Sequence, residues 1–229
     1  MFTGSVGMLD FSIYMFFSVL ETFAMFLLAF RVFKIDLYIT EMIFASLIMG
    51  FVSFVLRHDY SMLLIDVVIQ YLLTFCFFWL LFRIHIFYAA IMTGLAYLSY
   101  MLLQSTCYLI MNFTGFFSLT FLYPSIGVNI LQIVSALTTL LIARYIRKQR
   151  KGFDFVPDKQ NKKLRIQSHE FILFALTLPC VLVVVLMINL SERYSSYFFL
   201  MPLAYGALLY SYLYLSYKKD RSENEHIIS

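Results

Sequence analysis

The chain has 229 residues, of which 62% are hydrophobic and 13% charged, and its formal net charge is +4. Soluble globular domains carry about 25% charged residues, and a chain of this length cannot bury so much apolar surface in its own core. These values exclude an ordinary soluble domain and indicate a chain that lies in a membrane.

Seven apolar segments follow one another, each near the roughly 20 residues that cross a bilayer. We place them at Leu9–Phe30, Leu37–Leu56, Ser61–Phe82, Ile86–Met111, Ser125–Ile146, Phe171–Leu190 and Tyr197–Tyr217. Each segment must satisfy its backbone hydrogen bonds internally as a helix, because the hydrocarbon core holds no water. The sequence therefore predicts an all-α, polytopic integral membrane protein that forms a single seven-helix membrane domain over residues 1–229.

The basic residues indicate the orientation of this domain, because Lys and Arg accumulate on the cytoplasmic side of membrane proteins. With the N-terminus out and the C-terminus in, 15 of the 17 basic residues lie inside, and only Arg57 and Arg193 lie outside. The inner side then holds a basic cytoplasmic loop at residues 147–168 and a short cytoplasmic tail at residues 218–229.

The basic loop has two interpretations. It anchors the protein against anionic lipid headgroups, or it docks a protein partner. Nucleic-acid binding is a poor explanation for a loop bordered by two membrane helices. The tail is too short to fold or catalyse, so we expect any cytoplasmic output to lie on a membrane or cytoplasmic partner. A homo-oligomer is also compatible with the sequence.

Polar side chains recur in the outer half of the predicted helices, at similar depths when counted at about 1.5 Å per residue. On the fourth helix, tyrosines and a glutamine share one face. One interpretation is an outward-opening ligand pocket, and the other is hydrogen bonding that holds the helices together. The candidate ligand-binding residues are Asp66, Gln70, Tyr97, Tyr100, Gln104, Asn129 and Gln132.

Two further carboxylates lie within the apolar segments, where ionisable groups are costly and mark candidate sites. Glu21, near the middle of the first segment, is either a hydrogen-bonded structural acid or a proton or cation site. Glu41 lies near the inner end of the second segment, where we expect it to pair with Arg31 or Lys34.

Signatures of catalysis are missing from the sequence. It contains no HExxH helix, no nucleophile elbow and no phosphate-binding loop. Its three cysteines, Cys76, Cys107 and Cys180, do not have a metal-ligand spacing. We therefore expect a protein that is not an enzyme and that uses no cofactor or metal.

Short aromatic-rich helices, the outer segments RHDYS (Arg57 to Ser61) and SERYSS (Ser191 to Ser196), and a last segment ending LYLSYKKDR form a pattern. Through this pattern, residues 9–221 resemble the membrane sensor half of accessory gene regulator-type receptor histidine kinases. Those receptors detect peptide pheromones in Gram-positive bacteria. The resemblance implies a bacterial cell-membrane receptor for an extracellular hydrophobic or peptide ligand. Those receptors continue into a kinase, whereas only SENEHIIS follows here, so we expect no kinase activity.

Two other classes of function stay open at this point. One is a small membrane transporter, or the substrate-binding subunit of one, in which Glu21 is a coupling or substrate group. The other is a structural membrane subunit that stabilises a larger complex.

Overall fold

The computed structural model describes residues 3–60, 62–115, 124–150, 152–154, 156, 174–175, 177, 180, 182–186 and 199–228. Within these residues the chain forms seven helices and no strand, which confirms the predicted all-α fold. They are α1 (Thr3–Val32), α2 (Ile39–Phe54), α3 (Leu63–Cys76), α4 (Ile86–Phe113), α5 (Pro124–Lys148), α6 (the helical residues between 174 and 186) and α7 (Leu200–Ile228). The segment SERYSS and residues 157–168 of the predicted loop lie outside the described residues.

Five of the described helical spans are long and apolar enough to cross a membrane, which supports the predicted membrane protein. They are Phe11–Val32, Ile39–Arg57, Leu63–Leu81, Ile86–Phe113 and Gly127–Lys148. Many large apolar side chains of these spans are exposed on the outside of the bundle, such as Phe44, Phe51 and Leu80. Such side chains are compatible with a lipid environment.

Two helices end in a π-helical turn that continues them towards the next connection. Val55–Asp59 follows α2 and Phe77–Leu81 follows α3. Only a few residues then join the π-helical turn after α2 to Leu63, the first residue of α3. We call the end of the bundle that carries this connection the cavity end, because a cavity lies in the half of the bundle next to it. The opposite end carries the C-termini of α1 and α5.

Helices α1 and α4 form the centre of the bundle. α1 packs along α5 and α2, whereas α4 packs along α7, α5 and α3. Phenylalanines fill the core away from the cavity end, with ring centroids 5.3 Å apart for Phe26 and Phe78 and 4.8 Å apart for Phe30 and Phe82. These edge-to-face contacts stabilise the helices beyond the apolar area that they bury.

A short segment after α5 folds back onto the end of α1. The Phe153 amide donates to the Val32 carbonyl at 2.8 Å, and the Lys34 ammonium donates to Asp154 at 2.5 Å. Val156 is buried in the core beside them. We call residues 152–156 the strap, with residue 155 outside the described residues. The start of the predicted basic loop therefore contacts the helix bundle.

Most of residues 218–229, the predicted cytoplasmic tail, belong to the last helix. α7 continues to Ile228, so all but the last residue of this stretch is helical. The reason is local, because Lys, Arg and Glu are good helix formers and the stretch contains no Gly or Pro. At about 1.5 Å per residue, the 29 residues of α7 make a helix longer than a bilayer core is thick.

Candidate functional site

A cavity of about 310 Å³ lies among α1, α2, α3, α4, α5 and α7, in the half of the bundle nearest the cavity end. Voids larger than a water molecule are few in packed protein interiors, so an opening of this size is a structural feature in its own right. Its polar lining residues, apart from tyrosines, are Ser18, Glu21, Thr22, Ser53, Arg57, Gln70, Gln104, Ser105 and Gln132.

A carboxylate and two amides from three helices meet at the deep part of the cavity. The Gln104 side chain on α4 donates to one carboxylate oxygen of Glu21 on α1, at 3.0 Å. The Gln132 side chain on α5 donates to the other oxygen, also at 3.0 Å. Both oxygens of Glu21 therefore accept a hydrogen bond, which holds the carboxylate in one orientation.

Two hydroxyls extend this cluster into the core. The hydroxyls of Tyr100 on α4 and Ser135 on α5 are 3.0 Å apart, and both residues are buried. Ser135 in turn donates to the backbone carbonyl of Gln132 at 3.0 Å. These bonds position Gln132 through its backbone as well as through its side chain.

A second polar cluster lies at the cavity end, around an ion pair. Arg57, in the π-helical turn after α2, pairs with Asp66 in the first turn of α3. Ser53 donates to the same carboxylate at 3.1 Å, and Gln70 donates to it at 3.3 Å. The Tyr14 hydroxyl of α1 lies 2.7 Å from that of Ser53. Asp66 is fully buried, whereas the Arg57 side chain is 41% exposed.

The cavity walls between the two clusters are largely apolar and include several conformationally adaptable side chains. Four methionines, one each from α1, α2, α4 and α7, line the cavity: Met25, Met49, Met101 and Met201. Tyrosines complete the lining, and Tyr97 donates across the interface to the Val67 carbonyl at 3.3 Å. Methionine adapts to irregular shapes, so walls of this kind suit a ligand with an apolar body.

The structure brings together most of the candidate ligand-binding residues. Gln70, Tyr97, Tyr100, Gln104 and Gln132 line the cavity. Asp66 lies directly behind this lining, where it contacts Arg57 and Gln70. Asn129 is half-buried on α5 and does not line the cavity.

Glu21 and Arg57 also line the cavity, although neither is among the candidate ligand-binding residues. The sequence predicts Glu21 as a separate intramembrane carboxylate, either a hydrogen-bonded structural acid or a proton or cation site, and its side chain lies against Gln104 and Gln132. Arg57 was placed in an outer segment as an isolated charge. Asp66 is the sequence feature that indicates the position of Arg57, because opposite charges on either side of a short connection between antiparallel helices are within reach of one another.

Glu41 lies apart from the cavity, in the first turn of α2. Its predicted partner Lys34 pairs with Asp154 of the strap instead. Among the described residues, Glu41 makes no ion pair, and Arg31 makes none either. Asp154 of the strap, rather than Glu41, is therefore the partner of Lys34.

The described residues include no group of three or more His, Cys, Asp or Glu side chains that could hold a metal ion.

A scan against protein-family models found no match, and searches of curated proteins and of solved structures found none either. The geometry of the cavity therefore carries the functional argument.

Proposed function

We propose that this chain is a non-enzymatic membrane receptor that binds a small apolar or peptide ligand in the cavity. The observation that carries the proposal is the composition of the cavity. Two polar clusters, around Glu21 and Arg57, lie at different depths of a space whose other walls are methionine, tyrosine, leucine and valine. Ligand sites combine a mostly apolar lining with a few polar groups that orient the ligand.

The size of the cavity favours a ligand site over simple helix packing. Polar residues that serve only to hold helices together pair directly and leave no space between them. Here Glu21, Gln104 and Gln132 pair with one another and also line an opening of about 310 Å³. If these residues served only to pack the helices, the interior between them would be filled to about the packing density of an organic crystal.

A structural connection links the cavity to the opposite end of the bundle. α1 and α5 meet at the cavity through Glu21 and Gln132. At the other end, Val32 of α1 accepts a hydrogen bond from Phe153 of the strap that follows α5. A ligand that displaces Gln132 would shift α5 against α1 and change how the strap docks, which supports a route for signal output.

The proposed topology is that of seven transmembrane helices with the N-terminus out and the C-terminus in. This orientation, which the distribution of Lys and Arg favours, places the cavity end outside the cell and the strap inside. The resemblance to peptide-pheromone sensors supports an extracellular ligand, a bacterial cell-membrane location and an output carried by a partner protein.

The proposal is tested by blocking the cavity. The purified protein in nanodiscs is screened for an increase in melting temperature with a panel of hydrophobic peptides and small apolar compounds. Leu131→Phe adds a ring to a cavity-lining position of α5, whereas Leu137→Phe adds the same ring at an exposed position of that helix. We expect a panel member to stabilise the wild type and Leu137→Phe but not Leu131→Phe. No stabilisation by any member, or equal stabilisation of both variants, contradicts the proposal.

A small transporter is the second candidate, because an acidic side chain in a membrane cavity is a common coupling group. The supporting observation is Glu21, held between Gln104 and Gln132. Uptake of the stabilising panel member into proteoliposomes, lost in Glu21→Gln, would favour transport. Binding without uptake favours the receptor.

A further inference from the structure

Glu21 is a carboxyl group of the cavity lining that makes no ion pair among the described residues. The ion pairs among the described residues are Lys34–Asp154 and Arg57–Asp66, and neither involves Glu21. Its partners Gln104 and Gln132 are neutral amides. They orient the carboxyl group through hydrogen bonds but bring no positive charge to it.

Arg57 makes its ion pair with Asp66, at another level of the bundle. The contact between Tyr14 and Ser53 marks the level of the ion pair along α1, and Ser53 itself donates to Asp66. Glu21 follows Tyr14 by seven residues, which is roughly 10 Å along a helix. The cavity therefore carries an ion pair near its end and a separate carboxyl group, Glu21, at its deep part.

The cavity walls around the Glu21 carboxyl group suit an organic cation. Tyrosines from α4 and α7 line the same space, and aromatic rings attract positive charge. The aromatic lining residues are Tyr97, Tyr100, Tyr108 and Tyr205. Methionine thioethers of the lining are polarisable and tolerate ligands of varied shape.

A metal ion is a poorer fit to the same group. Divalent cations require several oxygen ligands, but both oxygens of Glu21 already accept hydrogen bonds from amide N–H groups. An ammonium group, in contrast, needs one carboxylate and can use the aromatic walls for its substituents.

We propose that the cavity binds an organic amine, whose positively charged nitrogen lies against Glu21 and whose apolar body lies among the tyrosines and methionines. This inference rests on the proposed receptor function and specifies the chemical class of its ligand. The amine displaces no protein cation, so Arg57 and Asp66 stay paired when it binds. Its selectivity over uncharged molecules of the same shape comes from Glu21.

The test compares matched charged and neutral probes. Binding of phenethylamine, benzyltrimethylammonium and uncharged 2-phenylethanol to the protein in nanodiscs is measured by calorimetry. We expect both cations to bind more tightly than 2-phenylethanol. Glu21→Gln should weaken cation binding by about 30-fold or more, the loss typical of removing one charge of a buried pair, and leave 2-phenylethanol unaffected.

Control variants separate this effect from misfolding. Glu41→Gln removes a carboxylate of the same type outside the cavity and should leave all three affinities unchanged. Glu21→Asp keeps the charge, so cations should still bind more tightly to it than to Glu21→Gln. Cation affinities that are equal in wild type and Glu21→Gln, or no binding of either cation to wild type, overturn the amine proposal.

The outcomes also distinguish the two proposals. If 2-phenylethanol or a peptide of the screening panel binds and Leu131→Phe abolishes that binding, the receptor cavity stands even when the amine inference fails. If Leu131→Phe changes none of the measured affinities, including those of the two cations, both proposals fail. If the cations alone bind and both Leu131→Phe and Glu21→Gln weaken them, both proposals are supported.

Discussion

Arg57 and Asp66 form an ion pair that links the end of α2 to the start of α3 beside the cavity. The two residues are unequal, because Asp66 is fully buried and the Arg57 side chain is 41% exposed. A charge that can turn to water loses less when its partner is removed than a charge that cannot. The pair should therefore respond differently to the loss of each member.

Arg57→Met should destabilise the protein more than Asp66→Asn. It leaves a buried carboxylate with only the Ser53 and Gln70 hydrogen bonds, at a cost of about 3 kcal/mol, the lower end of values for broken buried pairs. The double variant Arg57→Met/Asp66→Asn should regain part of this loss. Unfolding free energies in detergent micelles give the comparison, and a larger loss in Asp66→Asn than in Arg57→Met would contradict it.

Gly94→Ala should destabilise the contact between α4 and α7. A Cβ atom at Gly94 would lie 2.6 Å from the Tyr212 hydroxyl and 3.2 Å from the adjoining ring carbon, and this ring is fully buried. At Gly206 on α7 the nearest atom, a methyl of Leu102, would be 3.8 Å away. Melting temperature should fall in Gly94→Ala and stay equal or rise in Gly206→Ala, because Ala favours a helix over Gly by about 1 kcal/mol.

The companion test for Gly94 is a double variant. Gly94→Ala/Tyr212→Phe lacks the hydroxyl that clashes most closely, so part of the lost stability should return. Equal melting temperatures for Gly94→Ala and Gly206→Ala would show that α4 and α7 are not so closely packed at this level.

Gly152→Ala should release the strap. Gly152 has a φ of 145°, and an added Cβ would lie 2.6 Å from the Val32 carbonyl oxygen. A side chain is strained in this backbone conformation and collides with the acceptor that holds Phe153. We expect trypsin to cut after Arg150 faster in Gly152→Ala than in wild type.

Lys34→Ala is the matched control for the strap. It removes the ion pair to Asp154, whose side chains are 35% and 67% exposed. Exposed ion pairs contribute little to stability, so the cutting rate should change far less than in Gly152→Ala. A larger effect of Lys34→Ala would mean that the charge pair, rather than the backbone contact, holds the strap.

Ser105→Cys and Thr106→Cys should differ in their reaction with a charged thiol reagent. Ser105 lines the cavity, whereas its neighbour Thr106 is exposed on the outside of α4, within a membrane span. In a background with the three native cysteines replaced by Ala, the reagent should label Ser105→Cys when added from outside cells. Labelling of Thr106→Cys alone, or labelling only from the cytoplasmic side, would contradict a water-filled cavity that opens outwards.

The shared depth of polar residues predicted much of the candidate site. Depth follows from counting residues along helices, and five of the seven candidate ligand-binding residues line the cavity. Rotation of a helix about its axis does not follow from such a count. Asn129 and Gln132 are three residues apart on α5, yet only Gln132 reaches the cavity, because the packing of α5 against α1 turns it inwards.

The sequence by itself determined the helical fold and the membrane character, because both follow from local properties. Apolar length decides whether a segment can cross a bilayer, and the absence of water there requires a helix. Only the tertiary structure decided the partners of the charged residues. Lys34 pairs with Asp154, and Glu21 is bound by two amides, because these choices depend on which helix faces bring distant side chains within hydrogen-bonding distance.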